Sequence, residues 1–128
     1  MTKELKETVC SSLVPVLLGK SSSAYRLAWR LYRSLGTVCL RLGTRRGLLD
    51  TFGFPCVFRS ASTDDRLLCE QLLDIAEEFD GYLLLLIPTD ELSRKRVDAA
   101  REVLETRYIL SSPNEVFSHI PCFDQNER

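Results

Sequence analysis

The stretch Tyr82-Leu-Leu-Leu-Leu-Ile-Pro88 constrains this fold more than any other part of the chain. Side chains alternate across a strand, so an unbroken aliphatic run must be covered on both faces. The run is far too short to cross a bilayer, which takes about 20 apolar residues. It therefore reads as a buried strand of a parallel sheet with helices on both sides. Val14-Pro-Val-Leu-Leu-Gly19 reads the same way. Pro15 stands near its start, where a ladder donor is dispensable.

Between and beyond these runs the period changes from two to 3.6. Ala24, Leu27, Ala28, Leu31 and Leu35 form one helical face, with Arg26, Arg30 and Arg33 off it and Gly36 as the stop. Thr37-Val-Cys-Leu-Arg-Leu-Gly43 is the second expected strand. A loop from Thr44 to Pro55 follows, with room for a helical turn at Leu48-Leu49. Cys56-Val-Phe-Arg-Ser60 is a third strand, placed at an edge. Ser62-Thr-Asp-Asp65 resembles a capping box ahead of the stripe Leu68, Leu72, Ile75, Ala76 and Phe79. Thr89-Asp90 can cap a further helix whose face is Val97, Ala100, Val103 and Leu104, and Tyr108-Ile-Leu110 is a fifth strand.

The order β-α-β-loop-β-α-β-α-β predicts a three-layer Rossmann-like α/β domain, a five-stranded parallel sheet flanked by helices. The 128 residues suit one domain, expected at 13–117, with an N-terminal segment at 1–12 and a tail at 118–128. Seventeen Lys and Arg against eighteen Asp and Glu give a charge of -1, which removes the bulk electrostatic case for nucleic acid or an anionic membrane. The mixed-charge N-terminus lacks a signal-peptide pattern. Five cysteines at wide spacings form no C-x-x-C pair, and the expectation is reduced thiols in the cytoplasm.

Ligands of open parallel sheets sit beyond the carboxyl ends of the strands, near the switch point. If the first and fourth strands are neighbours, two segments meet there: Gly19-Lys20-Ser21-Ser22-Ser23 and Pro88-Thr89-Asp90. The first offers N–H groups at a helix start and the Lys20 charge, an arrangement that suits anions. The alternative is that both segments only cap helices.

Named motifs mostly fail. Gly19-Lys20-Ser21 ends like a phosphate loop, but Val14 stands where the earlier glycine is needed. A dinucleotide fingerprint lacks two of its glycines, and Arg41 and Thr44-Arg45-Arg46 replace the usual acid. Those arginines read as a solvated loop, with a phosphate contact as the alternative. A receiver-type phosphoacceptor site has no acids in the right places. His119 and Cys122 sit in the tail without further ligands, so neither catalysis nor a metal is expected of them, and the role of Cys10 is open. Trp29, Tyr25 and Tyr32 on the arginine-bearing helix read as packing residues.

Val14-Pro-Val-Leu-Leu-Gly19, a polar turn, then Ala24-Tyr25, Ala28 and Leu35-Gly36 resembles the opening of ATP-grasp carboxylate–amine ligases, "VPVLLG…NAYGMAR". Leu72 to Phe79 is similar to the family's second long helix. Leu84-Leu-Leu-Ile-Pro-Thr-Asp90 resembles its "LLLIPCGD" strand and turn, and Arg107 to Pro113 the strand and proline that close the lobe. The likeness runs from Val14 to Phe117. It implies the N-terminal, pre-ATP-grasp lobe, which helps hold the carboxylate or amine substrate. The matching positions are Gly19, Lys20, Ser21, Ser22, Thr89 and Asp90, with no catalytic or metal residue among them. ATP and magnesium are implied only for the complete enzyme, in further lobes supplied in cis or trans. The chain departs from the family at Lys20-Ser21-Ser22, where an acid or Asn is usual, and at Thr89, which replaces a Cys-Gly step. The second reading is a stand-alone Rossmann-like module that binds a small anion or a protein partner.

Overall fold

The aliphatic runs become strands, and their odd and even positions divide between two cores. The computed structural model describes residues 13–47, 50 and 54–115. The 1–12 segment, the 118–128 tail with His119 and Cys122, Cys10, and the expected turn at Leu48-Leu49 lie outside the described residues. The elements are β1 (Leu13–Leu18), α1 (Ser21–Leu35), β2 (Cys39–Gly43), β3 (Cys56–Ser60) and α2 (Asp65–Glu78). After them come β4 (Leu83–Pro88), α3 (Glu91–Ala99), α4 (Arg101–Leu104) and β5 (Ile109–Leu110). All strand pairs are parallel, in the order β3-β2-β1-β4-β5, so β3 is an edge as expected.

Leu13, Leu17, Cys39, Cys56, Leu85 and Ile87 pack against α1 through Ala24, Leu27, Ala28 and Leu31. On the other face Val16, Leu18, Leu40, Leu42, Leu84 and Leu86 pack against α2, α3 and α4 through Leu68, Leu72, Ile75, Val97 and Leu104. This is the three-layer Rossmann-like arrangement. Tyr82 and Leu83 stay half exposed, so the buried part of β4 starts at Leu84.

Several expectations shift by a residue or two, each for a local reason. β2 begins at Cys39 rather than Thr37. The Gly19 N–H donates to the Leu42 carbonyl, so odd positions of β1 face β2. Position 15 would serve the Val38 carbonyl, and Pro15 has no N–H to give. α1 starts at Ser21, with Lys20 in the N-cap position and no side chain capping it. Gly36 does end α1, its N–H donating to the Tyr32 carbonyl at 2.7 Å.

Ser62 does not cap α2. Its hydroxyl accepts the Asp64 N–H, and Asp64 caps the helix by accepting the N–H groups of Arg66 and Leu67 at 2.9 and 3.1 Å. A carboxylate is the stronger acceptor at the positive end of the helix dipole. The last long helix is two pieces. Ala100 breaks it at φ -111°, ψ 16°, and the bonds around it tighten to i→i+3. The break turns Leu104 into the core and leaves Val103 46% exposed, so Val103 does not belong to the buried face.

Candidate functional site

β1 and β4 pair along six residues, from Leu13–Leu83 to Leu18–Pro88, and so their following turns lie side by side. The Leu18 carbonyl accepts the Thr89 N–H at 2.8 Å and the Thr89 hydroxyl at 3.2 Å. The Ser23 hydroxyl lies 3.3 Å from both Thr89 Oγ1 and the Lys20 carbonyl. Gly19 has φ +146°, and a Cβ there would overlap Thr89 Oγ1 and lie 2.7 Å from Asp90 Oδ2. The two turns touch only because this position carries no side chain.

Asp90 joins them. Its Oδ2 accepts the Lys20 N–H at 3.0 Å from the first turn, and its Oδ1 accepts the Ser93 N–H at 2.8 Å to cap α3. Partial burial pushes the carboxyl up, but the hydrogen bonds from Ser93 and Lys20 and the Lys20 charge outweigh it and hold the group below the usual carboxylate range.

A cleft of about 650 Å³ opens beyond the carboxyl ends of β1 and β2, against the start of α3. Of the six residues expected from the sequence, it brings together Gly19, Lys20 and Asp90. Thr89 instead lines an adjoining groove of about 1020 Å³ between β4, α3 and the turn after β5. Ser22 is exposed in the first turn of α1 and lines neither, and the Ser21 side chain lies outside what the structure describes. Ser23, Thr89 and Asp90 thus act through one another to fix the wall that Gly19 and Lys20 present.

The opposite wall holds what the sequence reading missed. Arg41 is not part of a solvated loop. It is 3% exposed in mid-strand, and its Nη1 meets Asp50 Oδ2 at 2.8 Å. Its guanidinium lies over Gly43, where a Cβ would fall 2.7 Å from Nη2. Nη2 also donates to the Arg45 carbonyl at 3.3 Å, and the Gly47 N–H donates to Asp50 at 2.5 Å. Arg41 Nε and Asp50 Oδ1 are buried without a hydrogen-bond partner among the described residues. The signal was present in the sequence: an arginine between Leu40 and Leu42 in an apolar strand needs a buried acid, and Asp50 is the next acid along the chain.

Arg45 and Arg46 are exposed at the cleft mouth, as expected, with Arg46 over the Phe58 ring at 5.7 Å from its centroid. Arg96, also in the cleft wall, is tied to Asp65 at 2.7 Å and to the Ser62 carbonyl at 2.7 Å. Behind α1, the Tyr25 hydroxyl donates to the Cys56 carbonyl at 3.4 Å, and burial, with Asp50 nearby, pushes its pKa up to about 12. Tyr25 is therefore a neutral packing group, as the sequence predicts. Trp29, Tyr32 and Phe54 stack edge to face, with centroids 4.8–6.0 Å apart. No family model, curated protein or solved structure matches the chain.

Proposed function

We propose that the chain is the N-terminal, substrate-holding lobe of an ATP-grasp carboxylate–amine ligase and does not ligate by itself. The observation that carries this reading is the joining of the two turns by Asp90. The resemblance assigns substrate to those two turns, and they meet in one wall at the mouth of a cleft. Lys20 gives that wall a positive charge, which favours the carboxylate of a substrate. Gly19 lets the backbone come close to it.

In the complete enzyme, ATP and magnesium activate the carboxylate as an acyl phosphate that an amine attacks. The acids near this cleft are engaged elsewhere. Asp90 answers two N–H groups, Asp50 answers Arg41, Asp65 answers Arg96 and Glu91 answers Arg94. That donor set suits a nucleotide and metal site carried by other lobes, in cis or in trans. Trp29 and Phe54 remain 44% and 42% exposed, an apolar patch of the kind that docks a further lobe. Free thiols at Cys39, Cys56 and Cys69 support a reducing compartment, the cytoplasm. No helix among the described residues is long and apolar enough to cross a membrane.

The test is the size and activity of the native protein. An antibody against this domain should detect a species much larger than 14.6 kDa, or a 14.6 kDa chain in stoichiometric complex with the missing lobes. The isolated chain should release no phosphate from ATP above the buffer rate. ATP turnover by the isolated chain would sink the reading. The cleft is built from this chain's own residues, and that favours the second reading, a stand-alone module for a small anion. A native species of 14.6 kDa without partners would select it.

A further inference from the structure

We infer that the β2 side of the cleft is a seat for a phosphoryl dianion, free or as a monoester, held by Lys20, Arg45 and Arg46. The inference deepens the substrate-lobe reading and rests on it for the cleft being where substrate sits. It adds the substrate class: a small molecule that carries a phosphate besides its carboxylate or amine.

The charge balance of the cleft carries the argument. Arg41 and Arg96 in its wall are paired with Asp50 and Asp65, and Glu91 with Arg94. Lys20, Arg45 and Arg46 have no carboxylate bridge among the described residues. Against these three cations the cleft sets one further acid, Asp90, which is turned onto the N–H groups of Lys20 and Ser93. Two positive charges are left in excess. One carboxylate balances half of that, and a phosphoryl dianion balances it fully.

Register puts the cations together. Leu18 pairs with Leu42, and the Gly19 N–H reaches the Leu42 carbonyl. Lys20 and Arg45 therefore leave adjacent strands, about 4.8 Å apart, within two or three residues of that rung. Both side chains line the same cleft, with Arg46 beside them. Guanidinium forks match the three oxygens of a phosphoryl group, and the lysine adds a point charge from the facing wall.

The fold also holds the arginine-bearing segment in place before any ligand arrives. Arg41 grips the Arg45 carbonyl, Asp50 grips the Gly47 N–H, and Phe58 lies under Arg46. The buried pair sets the backbone on both sides of Arg46, so Arg41 and Asp50 are positioning residues for the seat.

The test is calorimetric titration of the full 128-residue chain at low salt with inorganic phosphate, O-phosphoserine, serine and succinate. O-phosphoserine or inorganic phosphate should bind at least about tenfold tighter than serine and succinate. Lys20→Ala and the double variant Arg45→Ala/Arg46→Ala should each weaken that binding about tenfold, with little change in melting temperature because all three side chains are exposed. Lys95→Ala, outside this cleft, should leave it unchanged. Affinity should drop between about pH 7.5 and about pH 5, as the phosphoryl group loses its second charge near a pKa of about 6.

Equal affinity for inorganic phosphate and O-phosphoserine marks free phosphate as the ligand. A preference for O-phosphoserine marks the ester. Either upholds the seat. Succinate or serine binding as tightly as the phosphates, phosphate binding indifferent to the three cations, or no binding at all overturns it. None of those results touches the substrate-lobe reading, which falls instead on ATP turnover by the isolated chain.

Discussion

Asp90 does two jobs with one carboxylate, capping α3 and fastening the turn after β1. Its folded pKa lies below that of the unfolded chain, so the folded protein keeps it ionised to lower pH. The stabilisation is complete above the unfolded value of about 3.9 and disappears as pH falls through the folded value. Asp90→Ala should therefore cost about 1 kcal/mol or somewhat more in urea unfolding at neutral pH. The gap from wild type should close as the titration is carried below about pH 4. A gap that stays constant into acid would mean that the carboxylate contributes no charge-dependent bond. Thr89 and Asp90 were legible in the sequence because polar residues after an apolar run stop one element and start another. What could not be read is which neighbour Asp90 binds, since the Lys20 N–H is 70 positions away along the chain. The alternative role of Ser21 and Ser22, capping the helix, is not realised, because α1 starts at Ser21 with Lys20 in the N-cap position.

The connection from β2 to β3 is an element with an ionic root. Arg41 and Asp50 are both buried, and each would be a stranded charge without the other. Asp50→Ala should destabilise the chain by about 3–5 kcal/mol, while an apolar replacement of both partners of similar volume should recover most of that loss. Urea melts of the single and double variants check this, and equal losses in both would contradict it. Strand and helix identities were legible from the unbroken aliphatic runs and the helical period between them, down to β3 at the edge. Their ends were not, because each is set by a partner elsewhere. Pro15 withholds a donor from Val38 and shortens β2. Asp64 outcompetes Ser62 for the start of α2. The turn at Ala100 moves Val103 out to solvent.

Across the whole molecule, β1 is the middle strand and shares its longest ladder with β4. Its amides can exchange only when the sheet itself opens, whereas β3 and the two-residue β5 lie at the edges. Hydrogen exchange followed by mass spectrometry should find β1 and β4 the slowest and β3 and β5 much faster. Uniform protection across all five strands would contradict this. Neighbouring first and fourth strands were the condition on which the sequence reading placed a site at their carboxyl ends, and that topology is present. The arginine-bearing wall of the cleft was harder to foresee, because residues of β2 and its loop reach the site only through the sheet order.

Stability here resides in the aliphatic strands, the helix caps and one hidden ion pair, whereas the charge of the cleft rides on Lys20, Arg45 and Arg46, which are exposed and bear little packing. The scaffold and the charge of its cleft are therefore separable. Exchanging those three side chains for others would change the charge of the cleft and leave the packed frame intact.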